Sequence, residues 1–259
     1  MDLQRNPFKA ALAEGRQQTG YWCTIRDPLV AEMLAGCGFD WLLIDTEHAP
    51  MDAAAALPLL QAVAAAGGGA HPVVRVASLD PVELKKVLDL GAQSVLVPYV
   101  QTRAEAEAAV AAVTYPPEGI RGVAGMVRAA GFGRIEGYHR RAREEICLLV
   151  QIETAAGLEA LEDIASVPGI DGIFIGPADL AASLGHPGEP SHPEVTAACL
   201  DAMRRIRAAG KPAGFLTLDQ AVLAEMVEAG CVFTATGIDI MSLRDAAADL
   251  AGRWRRGPA

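Results

Sequence analysis

The sequence is short of residues on which several common classes of protein depend. Only four lysines occur among its 259 residues, and 22 Lys and Arg are outnumbered by 32 Asp and Glu, for a formal net charge of −10. A chain this acidic repels nucleic-acid phosphates. Aromatic residues make up only 5%, and no basic stripe interleaved with them is present. We therefore expect no nucleic-acid partner.

Cysteines are few and scattered, and long apolar runs are missing. The five cysteines are odd in number and form no CxxC pair, which excludes a disulfide framework or a zinc knuckle and favours a reducing compartment. No apolar run reaches the ~18 residues that a membrane-spanning helix needs. The N-terminal stretch lacks the apolar segment of a secretion signal. These absences predict a cytoplasmic protein with no membrane partner.

The sequence does contain a repeated alternation of apolar and amphipathic segments. Hydrophobic residues make up 51% of the chain, enough for a large core. Eight short runs rich in Val and Ile are followed by Ala-, Leu- and Glu-rich segments of helical pattern. Their near-continuous hydrophobicity is typical of strands buried on both faces of a parallel sheet. The runs are 20–25, 41–45, 72–76, 94–98, 147–152, 172–175, 212–216 and 232–236.

Eight such units in a chain of this length predict an α/β protein, a single-domain (β/α)8 TIM barrel over residues 1–259. An open doubly wound sheet is the alternative, but no GxGxxG motif follows the first strand to support it. One connection, 114–145, is unusually long, and such connections usually serve function.

Polar residues cluster at the carboxyl ends of the predicted strands, where the catalytic face of a barrel lies. They are Asp45, Glu47 and His48 after the second strand, Arg75 in the third, Gln101 past the fourth, Gln151 and Glu153 on the fifth, and Asp179 after the sixth. The two later carboxylates make an oxygen-rich site suited to a hard divalent cation such as Mg²⁺ or Mn²⁺.

Each of these residues also has a structural alternative. Glu153 and Asp179 could stabilise the start of a helix, and His48 could be a turn histidine. Arg75 is harder to dismiss, because a guanidinium within an apolar strand needs an anionic partner. The remaining histidines are interpreted as structural or solvent-exposed; they are His71, His139, His186 and His192.

Seven motifs occur in an order that resembles one family. They are LLIDTEHAP at 42–50, VVRV at 73–76, VPYVQ at 97–101, YPP at 115–117, RGV at 121–123, QIET at 151–154 and FIGPADL at 174–180. Together they resemble the metal-dependent class II pyruvate aldolases of the HpcH/HpaI family, over residues 8–254. The resemblance implies reversible cleavage of 4-hydroxy-2-oxo acids to pyruvate and an aldehyde through a metal-bound enolate.

By this resemblance, Glu153 and Asp179 hold a divalent metal (Mg²⁺, Mn²⁺ or Co²⁺) that chelates the pyruvate moiety. The substrate-binding residues that it implies are Gln151, Gly176, Pro177, Ala178 and, facing the aldehyde, Leu216. Two departures from the family pattern, Thr46 and the tripeptide 124–126, lie on active-site loops and bear on the range of substrates.

The resemblance also implies the catalytic roles. Arg75 neutralises the enolate oxygen, and His48 lies near the base that moves the proton. Asp89 raises the basicity of that histidine, and Asp45 shares this task. The residues support the metal route independently, because a Schiff-base aldolase needs a lysine at a strand's carboxyl end. None of the four lysines, Lys9, Lys85, Lys86 and Lys211, has that position.

Two other functions stay open. A CoA-thioester lyase of citramalyl or malyl type would use the same barrel and metal, but it would need a basic CoA-binding patch of which the acidic chain shows little sign. A non-catalytic oxo-acid-binding protein would be favoured by the loss of the catalytic residues, all of which are present.

The resemblance further implies a homo-hexamer, a trimer of dimers, whose last helix (about 239–254) is exchanged between subunits. Apolar residues recur there at helical spacing and need burial. Burial on the chain's own barrel is equally consistent with this pattern. The apolar residues are Ile240, Leu243, Ala247, Leu250 and Trp254.

Overall fold

The computed structural model describes residues 1–255, in which eight parallel strands follow one another around a closed barrel and β1 pairs with β8. The predicted barrel is confirmed, and the open sheet is wrong. The strands are β1 (Gln18–Cys23), β2 (Trp41–Asp45), β3 (His71–Arg75), β4 (Ser94–Val97), β5 (Cys147–Ile152), β6 (Gly172–Ile175), β7 (Ala213–Leu216) and β8 (Cys231–Ile238).

Helices connect the strands and cover the outside of the barrel. They are α1 (Pro7–Ala13), α2 (Pro28–Ala35), α3 (Ala53–Ala65), α4 (Pro81–Asp89), α5 (Arg103–Val113), α6 (Tyr138–Glu145), α7 (Ala155–Glu159), α8 (Leu161–Ala165), α9 (Pro177–Ser183), α10 (Pro193–Ala208), α11 (Gln220–Glu228) and α12 (Asp239–Arg255). Among these described helices, none is both long and apolar enough to cross a membrane.

The alternation of side chains along each strand divides the core into two parts. In β2, Trp41 and Leu43 point into the barrel, where they pack with Phe174 and Phe233. Leu42 and Ile44 point outward and pack with the helices. Both faces of the strands are therefore buried, which explains why the strands are apolar without alternation.

Helix α1 closes the amino end of the barrel. Phe8 lies 5.8 Å from the ring of Trp41 and 6.0 Å from that of Phe233, measured between centroids. Beside it, His71 Nε2 lies 2.9 Å from Ser94 Oγ, and Asn6 Nδ2 donates to the same oxygen at 2.9 Å. Burial lowers the pKa of His71 to about 4, so this histidine is a neutral structural residue, as expected.

The long connection between α5 and β5 also lies at the amino end. It contains a short 3₁₀ helix (Arg128–Ala130) and α6, and it helps to enclose a cavity of about 230 Å³. Residues such as Ala92 and Ile146, which precede β4 and β5, line this cavity. It is therefore on the opposite side of the barrel from the strand carboxyl ends.

Helix α12 leaves its apolar stripe uncovered in the single chain. Asp239 is its one buried residue among those described, whereas Ile240, Leu243, Leu250 and Trp254 are exposed. Burial of this stripe on the chain's own barrel, one of the two alternatives, does not occur.

Candidate active site

The second and third strands carry a charged pair to the carboxyl end of the barrel. Asp45, the last residue of β2, lies opposite Arg75, the last residue of β3, in the parallel register. Arg75 donates from Nε to Asp45 Oδ1 at 2.9 Å and from Nη2 to Oδ2 at 2.6 Å. Both side chains are buried, so this bidentate pair holds the guanidinium in one orientation.

Glu47 supplies a second anion to the same guanidinium. Its Oε2 lies 2.9 Å from Arg75 Nη1, although the angle is poor for a hydrogen bond. Asp45 Oδ1 also accepts the backbone N–H groups of Glu47 (3.0 Å) and His48 (3.4 Å) and so shapes the loop after β2. The His48 ring is 64% exposed, with Nε2 3.9 Å from Glu47 Oε1. His48 thus lies at the open mouth of the site, and Asp45 contacts its backbone rather than its ring.

Trp22 and Thr46 support the charged pair from two sides. Trp22 Nε1 donates to Asp45 Oδ2 at 3.2 Å, and its ring lies 5.0 Å from Arg75 Cζ, in cation–π contact. Thr46 Oγ1 donates to the Arg75 carbonyl at 2.6 Å. Trp22 was not predicted as a site residue from the sequence. Its position near the carboxyl end of β1 was the one feature that could have indicated a place in the site.

Glu153 comes directly after β5 and is fully buried. Its Oε1 accepts the backbone N–H of Tyr99 at 2.8 Å, and its Oε2 accepts a hydrogen bond from Gln151 Nε2. Tyr99 has a positive φ of 57°, which a tyrosine rarely adopts and which aims its N–H at the carboxylate. Gln151 Oε1 is buried and has no partner. The arrangement fixes Glu153 and leaves one amide oxygen unsatisfied beside it.

Asp179 reaches the same region from the first turn of α9. Its Oδ1 lies 3.4 Å from Tyr99 Oη, a long hydrogen bond. Gly176, the N-cap of this helix, must lack a side chain, because a Cβ there would be 2.5 Å from Glu153 Oε2 and 2.6 Å from Gln151 Nε2. Gly176 therefore permits the close approach of α9 to the end of β5.

Burial and crowding of negative charge shift the pKa values of this site. Burial raises the pKa of Glu153 to about 7, and the charges of Glu47 and Asp179 act in the same direction. Burial, with Asp45 and Asp179, also raises the pKa of Glu47, even though Arg75 opposes it. Burial alone would raise the pKa of Asp45, but the hydrogen bonds and charge of Arg75 have the larger effect and lower it. The site thus has more carboxylates than its one guanidinium can neutralise.

The other residues implied in substrate binding lie around the same opening. Pro177 and Ala178 are the first two residues of α9, and Ala178 is exposed. Leu216 ends β7, is half-buried, and packs against the inner barrel cluster that contains Trp22 and Phe174. The structure therefore brings all the predicted site residues to the carboxyl end except one.

That exception is Asp89. It ends α4, and because the outer helices run antiparallel to the strands, it lies at the amino end of the barrel. Its Oδ1 accepts a hydrogen bond from Arg121 Nη2 at 2.8 Å, and Arg121 is fully buried against Tyr115. Among residues 1–255, Asp89 has no contact with His48. Within the described chain Asp89 therefore lies away from His48, and its action on that histidine stays a prediction.

The lysines lie elsewhere, as predicted. Lys9 contacts Asp171 and backbone carbonyls near the start of β5, and Lys211 Nζ donates to the carbonyl of Ile170 before β6. Lys85 and Lys86 are in α4. The described structure therefore offers no lysine at the site for a Schiff base.

Comparison with known proteins agrees with this geometry. The family model described as HpcH/HpaI aldolase/citrate lyase matches residues 18–246. The chain belongs to the HpcH/HpaI family. Family membership makes it a carbon–carbon lyase, and it confirms the resemblance carried by the strand-end motifs.

Relatives with named activities cover almost the whole chain. The chain is 54% identical to "Hydroxypyruvate/pyruvate aldolase" of Sagittula stellata, over 98% of this chain and 100% of the relative. It is 53% identical to "4-hydroxy-2-oxovalerate aldolase" of Rhodococcus jostii, over 96% of each. A solved HpcH/HpaI aldolase/citrate lyase family protein from Burkholderia cenocepacia superimposes with a TM-score of 0.93 at 38% identity, covering 96% of this chain and 99% of that one.

Proposed function

We propose that this protein is a divalent-metal-dependent class II pyruvate aldolase, which cleaves 4-hydroxy-2-oxo acids to pyruvate and an aldehyde and catalyses the reverse condensation. One observation supports it most strongly. A buried carboxylate, Glu153, lies with Asp179 and an orphaned amide oxygen at the barrel opening, beside a guanidinium fixed by two anions.

The donor set fits a hard divalent cation. Glu153 and Asp179 supply carboxylate oxygens, and burial, together with the charges of Glu47 and Asp179, raises the pKa of Glu153 to about 7, so a bound cation would stabilise its charged form. No three acidic residues at this end of the described chain offer carboxylate oxygens within 4.8 Å of one another. Two carboxylates with water in the other positions suit Mg²⁺, Mn²⁺ or Co²⁺. When bound, such an ion supplies a Lewis acid that stabilises negative charge on the keto oxygen.

The chain's own residues have separate tasks in the cleavage. A base near His48 removes the proton from the C4 hydroxyl, the C3–C4 bond breaks, and its electron pair passes to the pyruvate enolate. His48 suits proton transfer because its exposed imidazole lies at the open mouth of the site and can accept or donate a proton. The enolate then takes a proton at C3 to give the methyl group of pyruvate.

Arg75 stabilises the charge that develops. Two of its five N–H groups donate to Asp45, and Nη1 lies near Glu47 without a hydrogen bond to it, so N–H groups are left for a substrate oxygen. Because its partners fix its orientation before substrate arrives, little reorganisation is needed as the enolate forms. Leu216 lies at the rim, where it limits the size of the aldehyde.

The test is pyruvate release from a racemic 4-hydroxy-2-oxo acid by EDTA-treated enzyme, with Mg²⁺, Mn²⁺ or Co²⁺ added back. We expect activity to disappear with the chelator and to return with at least one of the ions. Absence of pyruvate with every ion, from protein that still binds pyruvate, would instead support the oxo-acid-binding alternative.

We also propose that the enzyme assembles as a homo-hexamer, a trimer of dimers, in which α12 packs on a neighbouring subunit. The support is the exposed stripe of Ile240, Leu243, Leu250 and Trp254. Light scattering should give the mass of six chains for the wild type and a smaller assembly for Leu243→Glu. A monomeric wild-type protein would contradict this assembly.

A further inference from the structure

A second group of potential metal ligands lies in the connection between α9 and α10. The rings of His186 and His192 stack with centroids 3.6 Å apart and an interplanar angle of 16°. His186 Nε2 lies 2.8 Å from Glu194 Oε2. One candidate ligand atom from each of the three residues lies within 4.8 Å of the other two. No step of the proposed aldol reaction uses these residues.

Backbone hydrogen bonds bring these side chains together. The N–H of His186 donates to the carbonyl of Ala181 in α9 at 2.8 Å. The N–H of Glu189 donates to the His186 carbonyl at 3.1 Å, and that of His192 donates to the Glu189 carbonyl at 2.9 Å. Two successive turns thus place the two imidazoles face to face. The His186 side chain is only 23% exposed, so less conformational entropy is lost when it binds a ligand.

We propose that His186, His192 and Glu194 form a second metal site, selective for transition-metal ions that favour imidazole, such as Ni²⁺, Zn²⁺ and Cu²⁺. Two imidazole nitrogens and one carboxylate oxygen suit these ions, whereas Mg²⁺ prefers oxygen ligands. Ligand atoms about 2.1 Å from one ion are roughly 3–3.5 Å apart, so atoms that already lie within 4.8 Å of one another need only small movements to bind the same ion. Glu194 is exposed and free to move, and water would complete the coordination.

Binding competes with two local hydrogen bonds. An ion held through His186 Nε2 would replace the one between that nitrogen and Glu194 Oε2. His192 is the N-cap of α10, and its Nδ1 accepts the backbone N–H of Glu194 at 3.3 Å. Coordination through Nε2 requires the ring proton to move to Nδ1, which removes this bond. The bond is long, and losing a helix cap costs about 1 kcal/mol, so the competition weakens the site without abolishing it.

Occupation of this site would tie the start of α10 to the end of α9, the helix that contains Asp179. An ion that binds only the folded protein raises its stability. Ni²⁺ is therefore expected to raise the thermal unfolding temperature even where excess Mg²⁺ is present.

The experiment uses full-length enzyme without an affinity tag and measures Ni²⁺ binding by equilibrium dialysis in excess MgCl₂. To separate the two sites, it is carried out in the Glu153→Gln background, which removes a ligand of the carboxylate site. We expect one Ni²⁺ to bind and to raise the unfolding temperature. Adding His186→Gln should weaken binding at least about tenfold. Adding His139→Gln, which removes an imidazole elsewhere, should change nothing.

Cu²⁺ provides an independent readout. Its electron paramagnetic resonance spectrum should show coupling to nitrogens of two imidazoles, and one of these should disappear in His186→Gln. His192 is left unchanged because it also caps α10. Equal Ni²⁺ affinity in the His186→Gln and His139→Gln proteins, or a Cu²⁺ spectrum unaffected by His186→Gln, would overturn the proposal. Neither outcome would affect the aldolase assignment, which does not depend on His186.

Discussion

At the amino end of the barrel, the buried His71 is neutral and contacts Ser94, which Asn6 also contacts. At the carboxyl end, Glu153 is buried at least as deeply, but it lies among other carboxylates and next to the unpartnered oxygen of Gln151. Burial shifts both pKa values toward the neutral form, to about 4 for His71 and to about 7 for Glu153. The polar groups around His71 are satisfied by neighbouring side chains, whereas those around Glu153 are not.

This difference separates stability from function along the barrel axis. Buried polar groups in stable regions are nearly always paired, so an unpaired group or an excess of one charge marks a place where a ligand binds. The amino end, with α1 packed over it, should therefore govern stability and its dependence on pH. The carboxyl end should govern activity and tolerate loss of charge without unfolding.

The largest expected effect is that of Glu153→Gln. The substitution keeps the shape of the side chain and removes the proposed metal-binding charge, so kcat should fall at least about 1000-fold. The thermal unfolding temperature of the metal-free protein should not decrease, because the lost carboxylate has no cationic partner. Glu159→Gln, in the adjacent α7, is the control and should keep full activity. Undiminished activity in Glu153→Gln would place the metal elsewhere.

Arg75→Lys should have the next largest effect. Lysine keeps the positive charge but cannot contact Asp45 through two nitrogens and still face a substrate oxygen. We expect kcat to fall about 100-fold and KM for the oxo acid to change less than about threefold. Arg103→Lys, in an exposed pair with Glu107, is the matched control. A change confined to KM would reduce Arg75 to a binding role.

Gly176→Ala tests how closely packed the carboxyl end is. The new Cβ would lie 2.5 Å from Glu153 Oε2 and 2.6 Å from Gln151 Nε2, closer than non-bonded atoms come, so these side chains must move. We expect kcat to fall about tenfold or more, since displacement of a ligand by about 1 Å is costly. Gly36→Ala, whose new Cβ would come no closer than 3.4 Å to its neighbours, is the control and should be neutral. Wild-type kinetics in Gly176→Ala would show that this packing is irrelevant to catalysis.

His71→Gln tests the amino end, where stability rather than activity should respond. The folded-state pKa of His71 is about 4, below the unfolded value near 6.5. The folded protein therefore loses stability as the pH falls from about 6.5 to about 4, by up to about 3 kcal/mol. The free energy of unfolding, measured with urea between these pH values, should change less with pH in His71→Gln than in the wild type or in His139→Gln. Identical pH dependence in all three proteins would contradict the buried neutral state of His71.

The smallest effect is expected from Leu216→Ala. This half-buried residue at the end of β7 limits the space for the aldehyde, so its truncation should favour bulkier aldehydes. We expect the kcat/KM ratio of a bulky to a small aldehyde, measured in condensation with pyruvate, to rise a few-fold. The exposed Leu218→Ala is the control. An unchanged ratio would remove Leu216 from the specificity of the reaction.

Much of the barrel could be predicted from sequence, because parallel strands buried on both faces leave a strong signal. The bounds of β2, β5 and β6 agree with the apolar runs. The segment after β5 forms two short helices, α7 and α8, which are separated at Ala160, a residue with no sequence signal for a break. The closure of the amino end by α1 was also not predicted, since its seven residues carry little periodicity.

The candidate site was predictable where it follows strand ends and not where it depends on packing between elements. Arg75 and Glu153 could be placed from their positions after apolar runs. The surroundings of Asp89 could not be predicted, because they depend on the direction of a helix and on a buried pair with Arg121. Two further contacts join residues from different strands or loops, so the sequence of a single segment does not predict them. They are the contact of Trp22 with Arg75 and that of Tyr99 with Glu153.

The most direct test of the central claim is exchange of the methyl protons of pyruvate with deuterium in D₂O, followed by proton nuclear magnetic resonance. The exchange requires the enolate but no aldehyde, so it does not depend on knowing the natural substrate. We predict exchange by the wild-type enzyme that stops with EDTA, resumes with a divalent ion, and is lost in Glu153→Gln but kept in Glu159→Gln. Bound pyruvate whose methyl protons do not exchange with any divalent ion would contradict the account.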